Sequence, residues 1–246
     1  MRAVVVAHPD DEALWLSSAL VAAQRVVFCF GDQFGDAGQK SAARRRAVAA
    51  LDLPGLVSLE LVESGTRKQV DWAHTHFTAA GIKISDPAGQ ARYEANFAAL
   101  LDGLRPLLAG CTEVYTHNPW GEYGHPEHVQ VYRAVAALQA ELGYKIWFSN
   151  YVSRLSWRLA RHAGAEPCWA DRVQTRPNGT LARRLFFTYL RHGAWTWPLA
   201  HRWPKREFFF SQPANSAEWR PLTGERLLDV QRLRLWRLGN AELVLI

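Results

Sequence analysis

Along the first 150 positions, short unbroken apolar runs alternate with stretches of helical period. Arg2–Ala7 (RAVVVA), Arg25–Phe30 (RVVFCF), Leu56–Val62, Thr112–Thr116 and Lys145–Ser149 are runs of the first kind. Their length and β-branched content suit strands covered on both faces. Between them, Glu12–Gln24, Ser41–Leu51, Arg92–Leu108 and Pro126–Leu142 place apolar residues at helical spacing, which predicts helices. Residues 64–90 show no period and read as irregular. The alternation implies parallel βαβ units: an α/β fold, with a Rossmann-like, mostly parallel sheet and helices on both faces.

After residue 150 the pattern loosens. Arg154–Ala163 and Leu181–His192 are candidate short helices, and Arg206–Ser211 and Leu227–Ile246 can hold strands. There is no internal repeat, low-complexity tract or linker. Residues 1–246 are therefore expected to form a single domain, with 1–150 as the catalytic core and 151–246 as a C-terminal cap.

Composition changes this picture only in the C-terminal part. Hydrophobic residues at 48% and charged residues at 21% are ordinary for a globular chain and exclude wholesale disorder. Cys29, Cys111 and Cys168 are odd in number and far apart, which argues against a disulfide framework or thiolate zinc site and suits a reducing compartment. No leader-like segment or spanning run is visible, so the expected location is the cytoplasm, with at most peripheral membrane contact. The net charge of +6 is concentrated: residues 151–220 hold twelve Arg/Lys against four Asp/Glu, leaving −2 for the rest, and eight of the eleven Trp lie at or after Trp147. This basic, aromatic-rich elaboration suggests an anionic partner, such as a membrane surface or phosphorylated glycan. It is expected to govern partner preference rather than chemistry.

The sharpest feature follows the first strand: His8-Pro9-Asp10-Asp11-Glu12. In open parallel sheets, ligands bind beyond the carboxyl ends of strands, and one imidazole with adjacent carboxylates cannot be buried there unpaired. A second cluster, Thr116-His117-Asn118-Pro119-Trp120-Gly121-Glu122-Tyr123-Gly124-His125-Pro126-Glu127-His128, also leaves a strand and enters a helix. The two can converge across one sheet edge, and two His plus one carboxylate form a catalytic zinc set with a position open for water.

Together these motifs resemble those of the PIG-L/LmbE-like zinc de-N-acetylases, a superfamily that includes N-acetylglucosaminyl-phosphatidylinositol deacetylases and deacetylases of the mycothiol and bacillithiol pathways. The resemblance covers roughly residues 1–150. It implies one divalent metal, zinc first with Fe2+ or Co2+ as substitutes, held by His8, Asp11 and His128. It further implies Asp10 as general base, His125 in oxyanion stabilisation or acid catalysis, and Tyr123 polarising the amide carbonyl. The implied substrate is an N-acetyl-hexosamine in a glycolipid or cell-surface glycan precursor, the alternative being a small soluble N-acetylglucosaminyl conjugate. Glu127 stands where the family more often has Asp. The family's Arg-x-x-Glu pair is missing from SAARRRAVAALD, so Arg44, Arg45 and Arg46 read as a solvated basic face and no substrate-binding residue is assigned.

Other readings are weaker. A non-haem iron triad shares the ligand types, but the members considered use His-x-Asp on all-β scaffolds. A nucleic-acid module would use the Trp-rich basic region, yet it leaves both His/Asp clusters unexplained, and no nucleic-acid partner is expected. GDQFGDAG is not a dinucleotide fingerprint and reads as a loop. His74, His76, His162, His192 and His201 read as surface residues.

Overall fold

The computed structural model describes residues 1–36, 38–215, 218–233 and 241–245. In chain order its elements are β1 (Arg2–Val6), α1 (Asp11–Trp15), β2 (Arg25–Asp32), α2 (Gln39–Ala49), β3 (Leu56–Val62), β4 (Phe77–Thr78), β5 (Gly81–Ile82) and α3 (Pro87–Leu108). There follow β6 (Glu113–Thr116), α4 (Pro126–Leu142), β7 (Lys145–Ser149), β8 (Tyr151–Val152), α5 (Trp157–Ala165), β9 (Arg172–Thr175), α6 (Gly179–Arg191), β10 (Glu207–Gln212), β11 (Arg226–Asp229) and β12 (Glu242–Val244).

The main sheet runs β3-β2-β1-β6-β7-β10-β9. Its first five strands are parallel, and β10 and β9 are added antiparallel. Because residues alternate faces along a strand, Val4 and Val6 of β1 pack with Trp15 of α1, Ala43 and Ala47 of α2, and Leu185 and Tyr189 of α6. Ala3 and Val5 face the other way, toward Leu100 and Leu104 of α3 and Val131 and Val135 of α4. Strand order reverses between β1 and β6, and that switch point opens a crevice beyond the strand ends.

Several expected elements are redrawn. The helix expected over Glu12–Gln24 is only α1, followed by a 3-10 turn at Ala19–Ala22. Ser17 and Ser18 compete poorly for helix interiors, and the Ser18 hydroxyl instead donates to Glu207 at 2.6 Å. Helix α3 starts at Pro87, earlier than Arg92, because Asp86 Oδ2 accepts from Gly89 N–H at 2.7 Å and proline suits the first turn. The irregular 64–90 stretch contains the small β4–β5 hairpin. Within the C-terminal part, β9 and β10 extend the main sheet and α6 covers one face. Within Leu227–Ile246, residues 234–240 and 246 lie outside the described residues, and β11 and β12 flank that gap.

Candidate active site

Two loops leave the switch point side by side, one after β1 and one after β6. The first turns sharply at Asp10, whose φ of 105° is in the left-handed region that a residue with a Cβ rarely adopts. Glu12 holds that turn: its Oε2 accepts the Asp10 N–H at 3.1 Å, while Oε1 accepts the Tyr189 hydroxyl at 2.7 Å. The second loop passes through Gly121 (φ 72°) and Glu122 (φ 44°). A Cβ on Gly121 would lie 2.6 Å from the His125 carbonyl oxygen, so only glycine fits. Pro126 then opens α4, and His128 rides on its first turn.

His8, Asp10, Asp11, His125 and His128 all come together, each buried. Asp11 Oδ2 accepts the His8 N–H at 2.8 Å and lies 3.2 Å from both His8 Nδ1 and His128 Nε2. Among the described residues, two sets of three groups are close enough to share an ion: His8, His125 and His128, and Asp11, His117 and His128. His117 is already engaged. Its Nε2 accepts the Ala7 N–H at 2.8 Å and its Nδ1 faces Glu122 Oε2 at 3.0 Å. Glu122 also faces His128 Nδ1 at 2.8 Å, which fixes that ring with Nε2 toward Asp11. The buried Nε2 atoms of His8 and His128 face carboxylate oxygens, Glu63 Oε1 at 3.5 Å and Asp11 Oδ2 at 3.2 Å, a donor set of the kind that holds a divalent cation.

Electrostatics separate the two aspartates. Burial alone would raise both, but His128, His117 and His8 hold Asp11 well below the usual carboxylate range. Asp10 is pushed up to about 7 by burial and the Asp11 charge, against the pull of the Thr196 hydrogen bonds and Arg44. Glu122 is held at about 2, because His117 and His128 outweigh its burial. Burial brings His125 down to about 4 despite Glu127, leaving a neutral imidazole at neutral pH.

His8, Asp10, Tyr123 and His125 line a cavity of about 750 Å³. Tyr123 is half-buried, its ring 5.1 Å from that of His128 and 4.8 Å from that of Trp197. Sequence reasoning missed several participants. Arg44, expected on a solvated face, is buried and donates to Glu63 Oε1 at 2.6 Å, because β3 brings Glu63 against α2; Arg45 and Arg46 are exposed as expected. Thr196 donates to Asp10 Oδ2 through its N–H (3.0 Å) and hydroxyl (2.7 Å), so the 151–220 region enters the site itself. His201, expected on the surface, is buried against Trp15 and Trp197. Gln33 and Phe34 of the GDQFGDAG loop line the cavity wall.

Residues 3–139 match the family described as PIG-L: GlcNAc-PI de-N-acetylase. The chain belongs to the PIG-L family. A relative from Mycobacterium sp. (strain KMS), named 1D-myo-inositol 2-acetamido-2-deoxy-alpha-D-glucopyranoside deacetylase, is 31% identical over 152 residues, 54% of this chain. The chain spans about half the length of that relative, 48%. A protein of the same name from Saccharomonospora viridis is 29% identical over 61% of this chain and 62% of its own. Among solved structures, the zinc-inhibited form of teicoplanin deacetylase Orf2 aligns with a TM-score of 0.56 at 15% identity, covering 86% of this chain and 97% of that one. A deacetylase–teicoplanin complex aligns at 0.55 and 14% identity, covering 86% and 98%. At such identity the likeness is one of fold. Among the described residues, no helix is long and apolar enough to cross a membrane.

Proposed function

We propose that this PIG-L chain is a metal-dependent hydrolase that removes the N-acetyl group from an N-acetylglucosamine-type sugar, releasing acetate and a free amine. The observation that carries this reading is the convergence of His8, Asp11 and His128 beside a cavity that His8 lines, with the buried Nε2 atoms of His8 and His128 facing the carboxylates of Glu63 (3.5 Å) and Asp11 (3.2 Å). His8, Asp11 and His128 would hold one divalent cation, zinc first and Fe2+ or Co2+ as substitutes, and two imidazoles with one carboxylate suit it. Such an ion, when bound, polarises a carbonyl and lowers the pKa of water.

The remaining steps fall to the chain's own groups. Asp10, anchored by Thr196 and poised near neutrality, accepts the proton of the attacking water and returns it to the departing amine. The Tyr123 hydroxyl donates to the amide oxygen as it gains charge, and His125, whose Nδ1 faces Glu127 Oε2 at 3.0 Å, joins it from Nε2 when the ring is protonated. The substrate in this reading is a small soluble conjugate, supported by the sugar–inositol in the names of the mycobacterial and Saccharomonospora relatives. The glycolipid or glycan precursor expected from sequence, with its membrane contact, ranks second. Acetate release from N-acetylglucosaminides, with metal analysis of wild type, His8→Ala and His128→Ala, tests the reading. Both variants should lose metal and activity together; equal metal in all three proteins would overturn the ligand assignment.

A further inference from the structure

Helix α6 ends at Arg191, and Gly193, at φ 70°, turns the backbone out of it. The segment that follows is tied down at both ends. Ala194 N–H donates to the Tyr189 carbonyl at 2.9 Å, and the Trp203 indole N–H donates to the Ala13 carbonyl at 2.7 Å. Between these ties lie Thr196 and Trp197, beyond the residues 3–139 that match the family.

Thr196 gives Asp10 Oδ2 two donors, its N–H and its hydroxyl. Among the described residues no hydrogen bond reaches Asp10 Oδ1, and Asp10 lines the cavity. One carboxylate oxygen is anchored and the other is left for the cavity. Two donors on a single oxygen fix the rotation of the carboxylate more tightly than one would. The next residue acts on Tyr123 by packing. Tyr123 sits between Glu122 (φ 44°) and Gly124 (φ 88°), in a turn that no helix or strand holds. Its hydroxyl has no hydrogen-bond partner among the described residues, so the surrounding rings aim it: Trp197 at 4.8 Å, His128 at 5.1 Å and His125 at 5.6 Å. Trp197 is braced in turn. Its indole N–H donates to His201 Nδ1 at 3.2 Å, and it stands edge-on to Trp15 at 5.1 Å. Trp15 itself donates to Asp11 Oδ1 at 3.2 Å.

We propose that Thr196 and Trp197 are positioning residues, a two-residue clamp that presents Asp10 Oδ1 and the Tyr123 hydroxyl to one substrate amide. A single planar peptide unit joins the two, so the proton acceptor and the carbonyl donor are held at a set separation. Catalysis depends on such spacing, and a misplacement of about 1 Å can cost about 10²-fold in rate. The kinetic consequence of the clamp rests on the deacetylase reading; the contacts themselves do not.

The full, metal-loaded chain serves for the test, with a methyl N-acetylglucosaminide as substrate. Thr196→Val keeps the N–H and removes the hydroxyl; kcat for acetate release should fall about tenfold to a hundredfold, with KM and metal content near wild type. Thr196→Ser, which keeps the hydroxyl, should restore most of the loss. Trp197→Ala should lower kcat about tenfold and Trp197→Phe should recover most of it. Double-mutant cycles separate positioning from general support of the fold. With Asp10→Asn in place, Thr196→Val should have no further effect on kcat, and the same holds for Trp197→Ala with Tyr123→Phe in place. Full effects in those backgrounds would overturn the clamp, because residues that only support the fold act whichever groups are present. Amide exchange at Thr196 reads the contact without turnover. Thr196 is exposed, yet its N–H should exchange slowly in wild type and Asp10→Asn, and at least about tenfold faster in Asp10→Ala. Equal rates in all three proteins would overturn the clamp. Protection that depends on Asp10, in a wild type that releases acetate from no N-acetylglucosaminide, would overturn the deacetylase reading and uphold the contact.

Discussion

Asp10 and Asp11 are adjacent in sequence and chemically identical, yet their surroundings give them different work. Asp11 is ringed by imidazoles and stays ionised, whereas Asp10 sits among burial, a like charge and Thr196, and is pushed up to about 7. Asp10→Asn keeps the shape and can still accept from Thr196, but it cannot take a proton. Metal content should stay near wild type while kcat falls about 10²–10⁴-fold. If Asp10→Asn lost the metal and Asp11→Asn kept it, the two roles would be exchanged. The two aspartates were legible as candidates because they follow the end of β1 closely, and the His125/His128 pair because it brackets the Pro126 start of α4. Glu122 was visible inside its motif but carried no role there, since what defines it is contact with two imidazoles at once. Thr196 had no signal at all: it reaches Asp10 across 186 positions, through packing that no local pattern records.

Among elements, the tie between α1 and α6 matters most to the site. Helix α1 has only five residues and begins at a strained position, so it cannot hold the Asp10 turn unaided. The Tyr189 hydroxyl on α6 donates to Glu12, and Glu12 in turn accepts the Asp10 N–H. Burial pushes Glu12 up to about 8, against the pull of that hydroxyl bond. Tyr189→Phe removes one buried hydrogen bond from the chain of contacts. It should cost about 1–2 kcal/mol, read as a lower urea midpoint at constant slope, and should lower kcat without changing metal content. An unchanged midpoint together with an unchanged kcat would show that α6 does not support the turn. Apolar periodicity placed α4 and β7 at their observed bounds, because both are continuous and well covered. It overran α1 because the apolar spacing of Glu12–Gln24 continues past Trp15, where the backbone leaves the helix.

At the scale of the whole molecule, the basic surplus after residue 150 marked that part as distinct, but charge says little about which sheet a strand joins. Strand β10 lies within one residue of the expected Arg206–Ser211, whereas β9 gave no signal, because Val173 is the one apolar residue in its four positions. Their effect is to place Glu207, the first residue of β10, fully inside the protein between the two parts of the chain. Its carboxyl accepts from the hydroxyls of Tyr151 on β8 (2.5 Å), Ser18 after α1 (2.6 Å) and Thr175 on β9 (3.4 Å). Burial raises it to about 7, although those bonds pull the other way. Folded, the carboxyl therefore keeps its proton until about pH 7; unfolded, it releases it near the ordinary 4.5. Between those values the folded chain binds more protons, so this contribution to stability is fully present below about pH 4.5 and is lost as pH rises to about 7. Glu207→Gln removes the titration while keeping a polar group for the three hydroxyls. The difference in unfolding free energy, variant minus wild type, should thus rise across that window by about 3 kcal/mol and level off above it. Denaturant unfolding of both proteins from pH 4 to 8 measures the difference directly. A difference that stays flat would mean that Glu207 is ionised in the folded protein and that the three hydroxyls outweigh its burial.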